Sequence, residues 1–144
     1  MRVEKTTPGG LVISDELIHQ GVGELNMLKC FQYDCCSFEE ASNRWKIDPQ
    51  TIDSSDSYTL KSVINETHTD CFALKHLELF GEYESKGNGS FYVGVIYSGE
   101  GTIIYKGKEI SYVQGDEIFF SAAMGNVTFK SKEDSRILLC YPPL

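Results

Sequence analysis

The sequence predicts a mainly β protein, an antiparallel double-sheet barrel or sandwich preceded by a short α-helical segment. Three observations carry that expectation. From about residue 58 onward, short runs rich in Val, Ile, Phe and Tyr alternate with breaks of Gly, Asn, Asp and Ser, the punctuation of an all-β domain. Aromatic residues reach 12%, with eight Tyr and eight Phe, a composition that suits half-buried pleated surfaces better than a helical bundle. The 144 residues, 41% hydrophobic and 24% charged, have the size of one domain and enough apolar surface to bury a core.

The N-terminal elements are the least regular. Gly10–Asp34 shows no clean period: Leu11-Val12-Ile13 suits a short strand, Ser14 or Asp15 suits the cap of a helical turn through Leu17–His19, and Leu25, Met27, Leu28 and Phe31 need cover. Ser37-Phe38-Glu39-Glu40 is a capping box, with a serine oxygen for the orphan amides and Glu40 at N3 reaching back. It predicts a helix over about 37–46, stopped before Asp48-Pro49 because the residue preceding proline disfavours the α region. Thr51–Ser57 is polar and reads as a linker, which divides the chain into an N-terminal extension, 1–57, and a barrel, 58–144, expected to form one compact unit.

Within the barrel the predicted strands are Tyr58–Ile64, Phe72–Phe80, Phe91–Tyr97, Thr102–Tyr105, Glu109–Val113, Glu117–Phe120, Val127–Lys130 and Arg136–Tyr141. Turn chemistry separates them: Gly87-Asn88-Gly89, Ser98-Gly99-Glu100-Gly101, Lys106-Gly107-Lys108, Gln114-Gly115-Asp116, Gly125-Asn126 and Lys132–Ser135. The closing Pro142-Pro143 donates no ladder hydrogen bonds and ends the pairing.

Charge and cysteine content exclude several functions. The net charge is -8 and the isoelectric point about 4.8, with no Lys/Arg cluster, so neither nucleic acid nor an anionic membrane is an expected partner. MRVEKTTPGG is not followed by an apolar stretch, and the longest apolar run, around Phe91–Tyr97, is far short of the ~20 residues a bilayer span needs. A cytoplasmic location is therefore expected. The five cysteines, Cys30, Cys35, Cys36, Cys71 and Cys140, contain no C-x-x-C pair and read as reduced thiols, and the sequons at Asn65, Asn88 and Asn126 read as coincidence.

The run Tyr92–Ser121, YVGVIYSGEGTIIYKGKEISYVQGDEIFFS, resembles the cupin family of small double-sheet jelly-roll barrels. In metal-bearing cupins two histidines and a glutamate precede the G-x-G turn and another histidine follows the G-D turn. Here the strand before Gly99 has neither His nor Glu, Asn126-Val127 stands near the later histidine position, and Ser121 replaces the usual proline. The resemblance thus implies a metal-free cupin.

Over nearly the whole chain, the order Arg2-Val3-Glu4, Gly9-Gly10-Leu11-Val12, Gly21–Asp34, Ser37-Phe38-Glu39-Glu40, Phe91–Gly101 and Cys140-Tyr141-Pro142-Pro143 resembles the C-terminal part of class I mannose-6-phosphate isomerase-like proteins. That resemblance implies a zinc-dependent two-cupin parent whose ligands (a Gln, two His and a Glu) lie in an N-terminal half absent from this sequence. It implies a sugar phosphate and either that zinc-bearing half or a second copy as partners, no cofactor in this chain, and Arg2 as a contact to substrate.

Other constellations are weaker. His68-Thr69-Asp70-Cys71 gathers a base, a carboxylate and a thiol, yet neighbours on an extended strand point to opposite faces, and the stretch reads as a polar loop. His76 and Glu78 share a strand face; as a pair turned into the barrel they are candidate binding residues, although a surface histidine is the commoner case. Cys30, Cys35, Cys36 and His19 fit no standard zinc spacing. Gly21-Val22-Gly23 lacks the remainder of a dinucleotide loop. Tyr92 and Tyr97, with Trp45 and Phe119, offer stacking faces for a small sugar or metabolite at the barrel mouth, core packing being the alternative use of each. The function expected is thus a catalytically silent cupin domain of an isomerase-like protein. A free-standing metal-free binding module and a dimerisation scaffold are the alternatives.

Overall fold

The computed structural model describes residues 6, 7, 9–14, 21–31, 33 and 35–143. Arg2, His19 and the expected turn at Leu17–His19 lie outside them. The chain divides into two compact units, Met1–Trp45 and Lys46–Leu144.

The first unit carries helices α1 (Glu24–Lys29) and α2 (Phe38–Trp45) and an isolated antiparallel bridge between Thr6 and Val12. The capping box forms as the sequence requires. The Glu40 amide donates to Ser37 Oγ at 3.1 Å, and the Ser37 amide donates to Glu40 Oε2 at 2.7 Å, so both ends of the motif satisfy an orphan N–H. That bond from the Ser37 amide is the main reason the Glu40 carboxyl sits below its ordinary pKa. No residue of either helix is buried, and no helix among the described residues is long and apolar enough to cross a membrane.

The second unit is the antiparallel double-sheet barrel. Its strands are β1 (Gln50–Ser55), β2 (Tyr58–Ile64), β3 (Ala73–Leu79), β4 (Glu82–Ser85), β5 (Tyr92–Ser98), β6 (Gly101–Tyr105), β7 (Lys108–Tyr112), β8 (Glu117–Phe120), β9 (Val127–Ser131) and β10 (Ser135–Tyr141). They form a six-stranded sheet, β1-β2-β3-β10-β5-β8, and a four-stranded sheet, β4-β9-β6-β7. The polar stretch read as a linker is in fact β1, paired antiparallel to β2. The unit boundary accordingly falls at Trp45/Lys46 and not at 57/58.

One apolar cluster joins the sheets. Leu60, Leu77, Leu79, Tyr92, Ile96, Phe120, Ile137 and Leu139 enter it from the larger sheet; Ile103, Tyr112, Val127 and Phe129 enter from the smaller. The period-two burial along β5 and β10 follows from the pleat: Tyr92, Gly94 and Ile96 point in, as do Ser135, Ile137 and Leu139. The turns behave as their residues dictate. Lys106 and Gly107 both have positive φ, 48° and 75°, which gives the two-residue hairpin of β6 and β7 the twist of its strands. After Gly115, the Asp116 carboxylate accepts the Val113 amide at 2.9 Å and locks the turn into β8.

Candidate functional site

Strand parity decides what the barrel presents. In β3, Leu77 and Leu79 are buried in the core. Lys75 shares their face, in register with Leu139 of β10, so it points inward. His76 and Glu78 occupy the opposite face, in register with Leu138 and Arg136. The pair is therefore on the outside of the six-stranded sheet, the commoner place for a strand histidine, and not turned into the barrel as a binding pair would be.

On that outer face Tyr97 joins them. Its hydroxyl lies 2.5 Å from His76 Nε2, and His76 Nδ1 is 3.8 Å from Glu78 Oε1. Lys61, opposite His76 on β2, donates to Glu78 at 2.8 Å. Burial pushes the His76 pKa down; Glu78 works against that shift, while Lys61 and Arg136 add to it. The Lys61 hydrogen bond leads in holding Glu78 below the ordinary carboxylate range. The group is a satisfied ion-pair network with a neutral imidazole.

Tyr92 belongs to the other face. It is buried, stacked on Phe120 at 4.4 Å and on Tyr141 at 5.1 Å between ring centres, and its hydroxyl donates to Ser85 Oγ at 3.1 Å. Tyr97 and Tyr92 thus face opposite ways, and the structure does not gather the four expected binding residues into one place. Phe119 is on the outer surface against Phe91, at 5.6 Å. Trp45 belongs to the N-terminal unit, beside the Arg44 guanidinium. In the β2–β3 loop His68 bonds to Asn65, and Cys71 Sγ lies 3.5 Å from Asp70, so the histidine and the thiol have different partners.

Around the inward face of Tyr92 lies a site the sequence reasoning missed. An open cavity of about 450 Å³ is lined by Asp53, Tyr58, Lys75, Tyr83, Glu84, Ser85, Lys86, Asn88 and Tyr141. Tyr58 packs edge-on against Tyr83 at 4.8 Å, and its hydroxyl donates to Asp53 Oδ2 at 2.9 Å. Lys75 Nζ sits 4.9 Å from the centre of the Tyr141 ring. Burial pushes the Tyr83 phenol up to about 12 and raises Tyr92 and Tyr141 as well, with the Ser85 hydroxyl partly offsetting each shift. All three phenols are therefore neutral hydrogen-bond donors at physiological pH. The usable signal in the sequence was parity: with Leu77 and Leu79 inward, Lys75 is inward too.

A cupin metal needs imidazole and carboxylate donors converging inside the barrel. The inward side chains here are aliphatic, aromatic, phenolic or serine hydroxyl, with the Lys75 ammonium at the mouth, and Asp53 at the rim is already held by Tyr58. Among the described residues no three His, Cys, Asp or Glu side chains are placed to hold a metal ion. The donor set does not fit zinc.

No protein-family model matches the chain, and no curated protein matches it. Solved structures do. The mannose 6-phosphate isomerase of Bacillus subtilis superposes with a TM-score of 0.64 at 17% identity, covering 94% of this chain and 37% of that one. The EutQ protein of Clostridium difficile aligns with a TM-score of 0.54 at 15% identity over 65% of this chain and 76% of its own. The Cupin_2 domain of an XRE-family transcriptional regulator from Enterobacter cloacae gives 0.52 at 15% identity, over 62% and 99%. These likenesses define the class: the fold is that of a cupin. This chain spans little more than a third of the isomerase it resembles.

Proposed function

We propose that this chain is a non-catalytic, metal-free cupin module, similar to the C-terminal part of mannose-6-phosphate isomerase-like proteins, and that its work is binding. The observation that carries the reading is the barrel interior. It packs Tyr92, Phe120 and Phe129 together, rings that bring neither an imidazole nor a carboxylate donor. The isomerase likeness supports the parentage by its extent. It covers 94% of the chain and so runs past the barrel unit into Met1–Trp45, whereas the other two cover 65% and 62%.

The N-terminal unit leaves Leu25, Phe31, Phe38 and Trp45 exposed, in keeping with a surface that docks on a partner such as a zinc-bearing half. A coupled assay of mannose 6-phosphate conversion to fructose 6-phosphate, with and without added zinc, tests the reading. No turnover is expected under either condition, and zinc-dependent turnover would overturn it.

A second reading, a free-standing module that binds a small metabolite, is favoured by the open mouth cavity. It shares the absence of chemistry and differs only in having no partner half.

A further inference from the structure

The connection between β4 and β5, residues 86–91, lends Lys86 and Asn88 to the lining of the mouth cavity. Of the chain's five asparagines, Asn88 is the one followed by glycine. Asn88 and Gly89 are both exposed, and a Cβ on Gly89 would meet nothing within 4 Å. Gly89 has a φ of 79°, a backbone region that glycine enters without steric cost. The Asn88 side-chain carbonyl is polarised, because its Oδ1 accepts the Ser90 amide at 3.0 Å. Among the described residues neither the Gly89 amide nor Asn88 Nδ2 donates a hydrogen bond.

These groups are set for an intramolecular acyl transfer. The nucleophile is the Gly89 amide nitrogen, unshielded by a side chain, and the electrophile is Asn88 Cγ, whose developing oxyanion the Ser90 N–H stabilises. Solvent base takes the Gly89 amide proton as the bond from nitrogen to Cγ forms. The bond from Cγ to Nδ2 then breaks, and that nitrogen, protonated by water, leaves as ammonia. Water opens the resulting cyclic imide at either carbonyl. Cleavage at Cγ gives aspartate, and cleavage at the Asn88 main-chain carbonyl gives isoaspartate. One water is consumed and one ammonia released, with no oxidant or reductant. The other asparagines are held away from this chemistry. Asn126 uses both ends of its amide, accepting the Gly87 amide at 3.4 Å and donating to Glu84 at 3.0 Å, and Val127 after it is buried. Asn65 accepts the Thr67 hydroxyl and donates to Ser62, while Asn26 and Asn43 lie within helices α1 and α2.

We propose that Asn88 is a site of spontaneous deamidation, which turns a neutral group at the barrel mouth into a carboxylate. The new charge shares the rim with Lys86, in a cavity that already holds Asp53 and Glu84. The isoaspartyl product also inserts a methylene into the main chain between two packed points. On one side a Cβ on Gly87 would come within 2.9 Å of Gly125, and on the other Phe91 packs against Phe119 at 5.6 Å. The site is independent of any ligand in the mouth and of any partner of the chain.

Peptide mapping by mass spectrometry of the full chain, held for days at neutral and at mildly alkaline pH, tests it. Asn88 exchanges NH for O at least tenfold faster than any other asparagine, the rate rises with pH, and isoaspartate outweighs aspartate in the product. The native chain modifies Asn88 at a rate within tenfold of the same chain unfolded in urea, because the fold leaves the turn open. Gly89→Ala, which puts a methyl beside the attacking nitrogen, slows the reaction at least tenfold. A native chain more than tenfold slower than the unfolded one overturns the proposal, as does another asparagine reacting as fast. Aspartate without isoaspartate overturns it too, since direct hydrolysis of the side chain would then be the route, and so does a natively folded Gly89→Ala that reacts at the parent's rate. If Gly89→Ala fails to fold, the product ratio and the comparison of native with unfolded chain carry the test. Neither turnover nor ligand binding enters the readout, so this proposal and the binding role argued above fail separately.

Discussion

The Tyr83 ring packs against Tyr58 on one side and Phe129 on the other, at 4.8 and 6.3 Å between centres. Removing water from its phenol penalises the phenolate, which is why its pKa rises to about 12. A phenol whose folded pKa exceeds its unfolded value contributes stability that is intact below about 10, the unfolded value, and is lost as pH rises toward the folded one. Tyr92 and Tyr141, raised by the same cause, lose stability in the same direction. Ultraviolet titration of the native chain is therefore expected to show two classes of tyrosine. The later class contains Tyr83 and ionises only near 12 or as the chain unfolds. A single class at the ordinary value would mean that the mouth phenols are solvated. Residue identity alone does not reveal any of this: Tyr92 and Tyr97 look alike in the sequence, and only the face each occupies separates a core phenol from one bonded to an outer histidine.

Strands with an apolar beat were legible and polar edge strands were not. Tyr58–Ile64 and Glu117–Phe120 fall where the alternation places them, because one face of each must be buried. The strands missed, β1 and β4, lie at the edges of their sheets. An edge strand pairs on one side only and favours polar side chains, so QTIDSS carries no apolar period and reads as a linker. Phe80-Gly81 gave no reason to expect another strand directly after β3. His76 and Glu78 share a face, as their spacing requires, and the inward Leu77 and Leu79 beside them are what turn that face to the outside.

At the β5–β6 turn, sequence and packing agree on a testable point. A Cβ on Gly101 would overlap the Lys130 carbonyl oxygen and lie 2.5 Å from the Tyr112 hydroxyl, whereas one on Gly107 meets open space. Gly101→Ala is expected to cost about 1–3 kcal/mol or more in urea unfolding, since a close-packed backbone must move. Gly107→Ala meets only the left-handed φ penalty of roughly 1–2 kcal/mol. The reverse ranking would show that β6, β7 and β9 pack less closely than described.

The whole molecule carries a barrel of cupin fold whose interior is lined mainly by aliphatic, aromatic and phenolic side chains. The double-sheet architecture was legible because it follows from turn spacing and alternation. The mouth was not, because it is assembled from Asp53 on β1, Lys75 on β3, Tyr83 on β4 and Tyr141 on β10, residues far apart in the chain that only the fold brings together. The central claim is that this barrel binds without a metal. Crystals of the full chain grown with excess zinc, with diffraction recorded on both sides of the zinc absorption edge, test it most directly. The account predicts no anomalous peak inside the barrel among Lys75, Tyr83, Tyr92 and Tyr141. A zinc peak there, held by three or more side chains at bonding distance, would contradict it.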